Sequence, residues 1–417
     1  MRSSDSPVII IGGGIAGLAC ARRLHRNGVS VRVLEASGRV GGRIKTDRHD
    51  GYLLDRGFQV LQTAYPEARR TLNLSDLNLQ CFAPGAMIRV QGRFHTLADP
   101  LRRPGKLLET LRAPIGGLPD RLRLLRLAAK VTRGPLEAIF RQTESTSIEF
   151  LRTQGFSATM IDRFFTPFFG GVCLDPHIRA SSRVLLYVLR MFAGGDAALP
   201  ALGMEQIPVQ LVRDLPAEWV QTEVRVRRIR KSEIVTDDGH TLPARAIVVA
   251  TEGPEATRLL GPGSTEASIS ETCLYFSCDH AAWHPPYLLL NGDGRGPINN
   301  IAFPSRVSPA YAPKGKSLVS VVVLGNPDDT DAVLLKRVRR QLVAWFGSQA
   351  RQWSHLQTYR IRHALPSQAP PSRDPYRQNN QVRTGIFVCG EHGSLPGIQW
   401  ALRSGRCAAD AVRAQLR

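Results

Sequence analysis

The chain has 417 residues, 43% hydrophobic and 22% charged, long enough for two domains with sizeable cores and too ordinary in composition for a disordered or fibrous protein. Lys and Arg outnumber Asp and Glu by 55 to 35, a net charge of +20, yet the basic residues are spread widely and are not interleaved with stacking aromatics, which argues against a nucleic-acid partner. Seven cysteines without a CxxC pair point to reduced thiols. The first residues carry no leader-like pattern and no run of eighteen apolar residues occurs, so the reading is a cytoplasmic protein without a spanning segment.

Residues 8–11 form an apolar run leading directly into Gly12-Gly13-Gly14-Ile15-Ala16-Gly17. A helical stretch follows to Asn27-Gly28, then an apolar strand at 31–34 that ends on Glu35. This strand, glycine turn, helix, strand and acid are the parts of a dinucleotide grip. Gly12 permits the tight turn, Gly14 lets backbone approach a pyrophosphate, and Gly17 lets the helix pack close. The helix start, with Ile15 and Ala16, faces the phosphate charge. Glu35, eighteen residues after Gly17, is placed to accept from a ribose hydroxyl and would repel a 2′-phosphate.

Residues 44–46 and 51–54 read as a hairpin leading to Asp55-Arg56-Gly57-Phe58, where Gly57 is either a close-approach glycine or a plain turn. The block 76–199 is helical by pattern at 104–141 and 147–165. Its aromatic run, Phe164 to Phe169, is either lobe core or an apolar wall for a substrate. Short strands are expected at 223–226, 229–230, 233–236 and 246–251. Further strands are expected at 288–290 and 317–324, with a helix over 330–346. Near the end, 385–389 is a strand followed by Gly390-Glu391, and Pro396-Gly397-Ile398 opens a helix that Ser394 or its turn could cap.

Leu34-Glu35-Ala36-Ser37-Gly38-Arg39-Val40-Gly41-Gly42-Arg43 resembles the signature of the flavoprotein clan of monoamine oxidases, phytoene desaturases and protoporphyrinogen oxidases, and 385–398 resembles that clan's C-terminal flavin motif. The resemblance implies an α/β fold: a Rossmann-type FAD-binding domain split over 1–75, 200–255 and 380–417, with an α+β substrate domain from 76–199 and 256–379. It implies FAD contacts at Glu35, Ala36, Gly42, Arg43, Gly57, Val224 (a backbone contact to adenine), Gly390, Glu391, Gly397 and Ile398. No cysteine stands in the C-terminal motif at a spacing for covalent attachment, so the FAD is expected to be noncovalent.

The resemblance also implies hydride transfer to flavin N5. The clan's amine oxidases commonly carry a lysine near the flavin in the second substrate block, and no lysine lies between Lys231 and Lys314. In overall character the chain is nearest the clan's phytoene-desaturase-like branch, and that resemblance implies an apolar, isoprenoid- or carotenoid-like small-molecule substrate. An amine or amino-acid oxidase is the alternative, and a non-enzymatic prenyl-binding protein of the same fold is disfavoured by the intact motif residues. Trp283, Tyr287, Tyr359 and Trp400 read as packing residues, His392 as a loop histidine satisfied by backbone, and no catalytic acid or base is assigned. The segment 101–141, with ten basic and three acidic residues among many leucines, is either a solvated lobe helix pair or a docking element for an anionic membrane surface.

Overall fold

Val8, Ile9, Ile10 and Ile11 are all buried because their strand is central in a parallel sheet covered on both faces. The computed structural model describes residues 6–100, 102–261, 267–279, 286–391 and 394–417. Across this six-stranded sheet the order is Val220–Gln221, Val31–Leu34, Val8–Ile11, Ala246–Val249, Ile386–Val388 and Gln381–Arg383, the last antiparallel. Val8 registers with both Val31 and Ala246, and Ile11 with both Leu34 and Val249. Chain order reverses on either side of Val8–Ile11, and the crevice beyond the carboxyl ends of such strands is where α/β sheets bind ligands.

Alternation decides which layer each side chain joins. Val8 and Ile10 pack with the Ile15–His25 and Ile398–Leu416 helices. Ile9 and Ile11 face the other way, toward Val226, Ile234 and Ala256 of a small antiparallel sheet and the Gly253–Leu260 helix.

A second, seven-stranded sheet runs Ser354–Pro366, Ser268–Asp279, Lys316–Leu324, Ile298–Ala302, Leu288–Asn291, Gly85–Val90, Arg93–Ala98. Its pairings are antiparallel except Leu288–Asn291 with Gly85–Val90. Leu274 and Phe276 turn toward the Asp331–Phe346 helix, while Cys273 and Tyr275 turn toward the core of the first domain. A helical lobe, including Leu118–Val131, Ser147–Thr153 and Ser182–Gly194, closes over Phe165, Phe169 and Trp400.

Several expectations need correction. The first helix stops at His25, and the strand expected at 223–226 is replaced by a two-residue strand, Val220–Gln221, a bend in which Glu223 is left-handed (φ +60°), and a strand that begins only at Val226. The two longest strands, Ser268–Asp279 and Ser354–Pro366, and the hairpin of Gly85–Val90 with Arg93–Ala98, were not anticipated. The aromatic run divides. Phe165 and Phe169 are wholly buried, whereas Phe164 and Phe168 stack at 5.3 Å on a half-buried face.

Candidate cofactor site

The glycine loop is built as its spacing requires. Gly12 has φ +108°, and a Cβ there would stand 2.8 Å from the Ala250 carbonyl oxygen. A Cβ on Gly17 would overlap the Gly12 carbonyl oxygen, so helix and strand can meet only with glycine at that point. Gly14 differs: its backbone is ordinary, φ −73° and ψ 175°, and a Cβ would find its nearest neighbour only at 4.0 Å. Its lack of a side chain keeps space open at the helix start, where no side chain caps the first turn and an anion can approach the N–H groups. Ile15 and Ala16 are buried there, with the Ala16 carbonyl pressed against Gly405 of the last helix.

Glu35 is half-buried beside this loop. Its carboxylate accepts from the Gly13 amide (2.8 Å), the Ser37 amide (2.9 Å) and the Ser37 hydroxyl (2.6 Å). Three donors leave one of about four acceptor positions for a further hydroxyl. Lys45 donates to the Ser37 hydroxyl at 2.8 Å, and burial lowers its pKa from the usual lysine range against the opposing pull of Glu35. Ala36 is exposed, and the Val224 amide donates to the Glu35 carbonyl. The second glycine pair folds onto the first: the Gly41 amide donates to the Gly13 carbonyl at 2.8 Å, and a Cβ on Gly42 would lie 3.3 Å from Gly14 Cα.

Arg43 gathers the distant parts of the chain. Its guanidinium donates to the Ala364 carbonyl at 2.7 Å and forms an ion pair with Glu391 at 2.6 Å, while the Gln59 amide donates to the Arg43 carbonyl at 3.0 Å. The His363 and Ala364 carbonyls are presented by an irregularity in strand pairing between Ile361 and Leu365. Gly390 (φ +110°) donates to the Ser404 hydroxyl. Gly397 (φ +107°) precedes the Ile398–Leu416 helix, whose N-terminus has no side-chain cap. Ser394 therefore does not cap this helix, and Pro396 lies just outside its first turn. Two helices with uncapped N-termini thus pack together, with Gly405 fitted against Ala16 and Ala19.

Gly57 (φ +91°) stands where a Cβ would meet Ile361 at 2.7 Å and a carboxylate oxygen of Glu271 at 3.2 Å. Its close approach is thus to the second sheet. Glu271 is buried and, among the described residues, accepts one hydrogen bond, from the Phe58 amide at 3.2 Å, and burial pushes its pKa up to about 7. On the other side of the turn, Asp55 accepts from Thr46 (2.5 Å), the Met204 amide (3.0 Å) and Tyr311 (2.8 Å), with burial raising it to about 6. Sequence reasoning missed Ser37, Lys45 and Glu271. A visible signal for Glu271 was an acid entering an otherwise apolar run.

The residues fit FAD on a structural criterion. Among the described residues, several buried polar atoms without a hydrogen-bond partner lie here: Gln59 Oε1, His363 Nδ1 and Ser394 Oγ, with Thr251 Oγ1 beyond the Gly12 turn. Such atoms are rare in native interiors unless a ligand or water completes them. Trp400 and Tyr287 are buried packing residues, and Tyr359 donates to Asp47. Trp283 and His392 lie outside the described residues.

The family model for flavin containing amine oxidoreductases matches residues 15–413. Mouse amine oxidase B is 57% identical over 104 residues, 24% of this chain and 19% of that protein. Coproporphyrinogen III oxidase of Propionibacterium freudenreichii is 35% identical over 88 residues, 21% of this chain and 17% of that protein. The aligned stretches thus span under a fifth of either relative's length. Among solved structures, cyclohexylamine oxidase from Brevibacterium oxydans superposes with a TM-score of 0.72 at 19% identity, covering 99% of both chains, a likeness of fold.

Proposed function

Since this chain belongs to the flavin-containing amine oxidoreductase family, and is accordingly an FAD-dependent oxidoreductase, we propose that its substrate is an apolar, isoprenoid- or carotenoid-like molecule rather than an amine. When bound, FAD supplies the electron sink that accepts a hydride at N5. Gly12, Gly14 and the open start of the Ile15–His25 helix would hold the pyrophosphate, Glu35 the adenosine ribose, and Arg43 a phosphate. Gly397 and Ile398 would aim a helix N-terminus at the polar edge of the flavin.

The lysines carry the substrate reading. None occurs from 232 to 313; Lys314 sits exposed in the turn before the Lys316–Leu324 strand, and Lys316, exposed at the start of that strand, is paired with Asp279. Lys45 is committed to Ser37 on the ribose side. Removing a hydride from an allylic or polyene chain needs no such amine-directed group.

One observation favours the amine alternative. Glu271 is a buried carboxyl with spare acceptor capacity, and an ammonium would pair with its ionised form. Anaerobic mixing with polyenes and with amines, following flavin absorbance, tests the choice. Bleaching by a polyene and not by an amine is expected. Hydrogen peroxide release with an amine at ordinary oxidase turnover overturns the proposal.

A further inference from the structure

Among the described residues, ten large apolar side chains are exposed, and six of them lie on two consecutive helices of the lobe, Leu107–Arg112 and Leu118–Val131. Leu107, Leu108, Leu111, Leu118, Leu122 and Leu125 are between 41% and 58% exposed. The second helix has two apolar faces. Leu127 and Val131 point into the lobe, and Asp120 fixes that orientation by accepting from the Gly117 amide and from both the amide and hydroxyl of Ser157. Leu118, Leu122 and Leu125, spaced four and three residues apart, form a second stripe turned outward.

Charge surrounds this stripe. Residues 102–133 contain nine Lys or Arg against Glu109 and Asp120. Asp120 is buried, and Glu109 is paired with Lys106, so the outward surface is strongly cationic. Arg112, Arg126 and Lys130 are exposed.

We propose that these two helices dock the protein on an anionic lipid bilayer, the leucines entering the acyl boundary and the cations meeting lipid phosphates. A second copy of the chain would bring two cationic faces together, which like-charge repulsion opposes. A nucleic acid would call for stacking side chains, and residues 102–133 include no aromatic. An interfacial helix pair of this composition satisfies both its apolar stripe and its charge only at a membrane surface. No described helix is long and apolar enough to cross a membrane, so the attachment lies in the plane of the interface.

Sedimentation of the FAD-loaded protein with phosphatidylcholine vesicles, with and without about one-third phosphatidylglycerol, tests this. Binding is expected with phosphatidylglycerol at low salt and should weaken by about tenfold or more at high salt or without the anionic lipid. Leu118→Ser with Leu122→Ser and Leu125→Ser should abolish it, as should Arg112→Gln with Arg126→Gln and Lys130→Gln. These side chains face solvent, so unchanged flavin content and melting temperature verify the fold. Arg121 and Arg123 are left intact, because Arg121 donates to the Ala113 carbonyl and Arg123 lies 3.9 Å from Asp120. Failure to sediment with anionic vesicles at low salt overturns the proposal, as does binding that survives both variants. Self-association lost in the leucine variant, without vesicle binding, would assign the face to a second copy instead. None of these readouts involves the redox substrate, so they stand apart from the test of its identity.

Discussion

Arg43 and Glu391, near opposite ends of the chain, form an ion pair at 2.6 Å through Glu391 Oε2, with the glutamate side chain 9% exposed. The pair joins the glycine-rich extension of the first domain to the loop before the last helix. Its partial exposure, 38% on the arginine side, moderates its own worth. Its value lies in presenting two charged groups at a common place.

Arg43→Ala is expected to weaken FAD binding by roughly tenfold or more, since charge-assisted hydrogen bonds contribute about 1.5–3 kcal/mol. Fluorescence titration of the apoprotein with FAD measures it. An unchanged dissociation constant would remove Arg43 from the cofactor contacts.

Gly14 and Gly17 should fail in different ways. Gly14→Val keeps an allowed backbone and its Cβ meets nothing nearer than 4.0 Å, so the apoprotein should fold with a stability change within about 1 kcal/mol while losing its flavin. Gly17→Val drives a side chain into the Gly12 carbonyl and should cost about 3 kcal/mol or more. Thermal melts of apoprotein, with flavin content beside them, separate the two. Equal destabilisation by both would contradict the open space at Gly14.

Glu271→Gln should stabilise the protein at alkaline pH. The carboxyl titrates at about 7 in the fold against 4.5 unfolded, so the folded state holds its proton more tightly. Stability therefore falls as pH rises through that window, and the burden is complete above about pH 8. Glutamine keeps an acceptor for the Phe58 amide without the charge. The expected gain is roughly 3 kcal/mol at pH 8, vanishing below about pH 4. Urea unfolding of both proteins at the two pH values checks it, with Asp55 titrating equally in each. A loss of stability at pH 8 would contradict the uncompensated burial of Glu271.

The glycine turn and the strand–helix–strand unit around it were legible because their signals are local. Gly12, Gly17 and Glu35 act within one strand–helix–strand unit, and the turn chemistry that fixes them is written in adjacent residues. Gly57 was recognised as a turn, but its neighbours Glu271 and Ile361 come from segments that meet only through long-range pairing. The Ser354–Pro366 strand escaped because it is half-exposed, basic and interrupted opposite Ile269–Glu271, which blurs alternation. For Leu118–Val131, periodicity showed a helix without showing which stripe faced inward, since leucines occupy both.

The parallel sheet takes strands from residues 8–34, 220–249 and 381–388, and its first helix rests against its last. During synthesis the glycine turn emerges early, yet the partners that bury it come hundreds of residues later. The first helix therefore completes its packing only once the last helix has been made. A nascent chain halted before Ile386 would carry the fingerprint without Glu391 and the last helix, and is expected to hold FAD less tightly than the full chain.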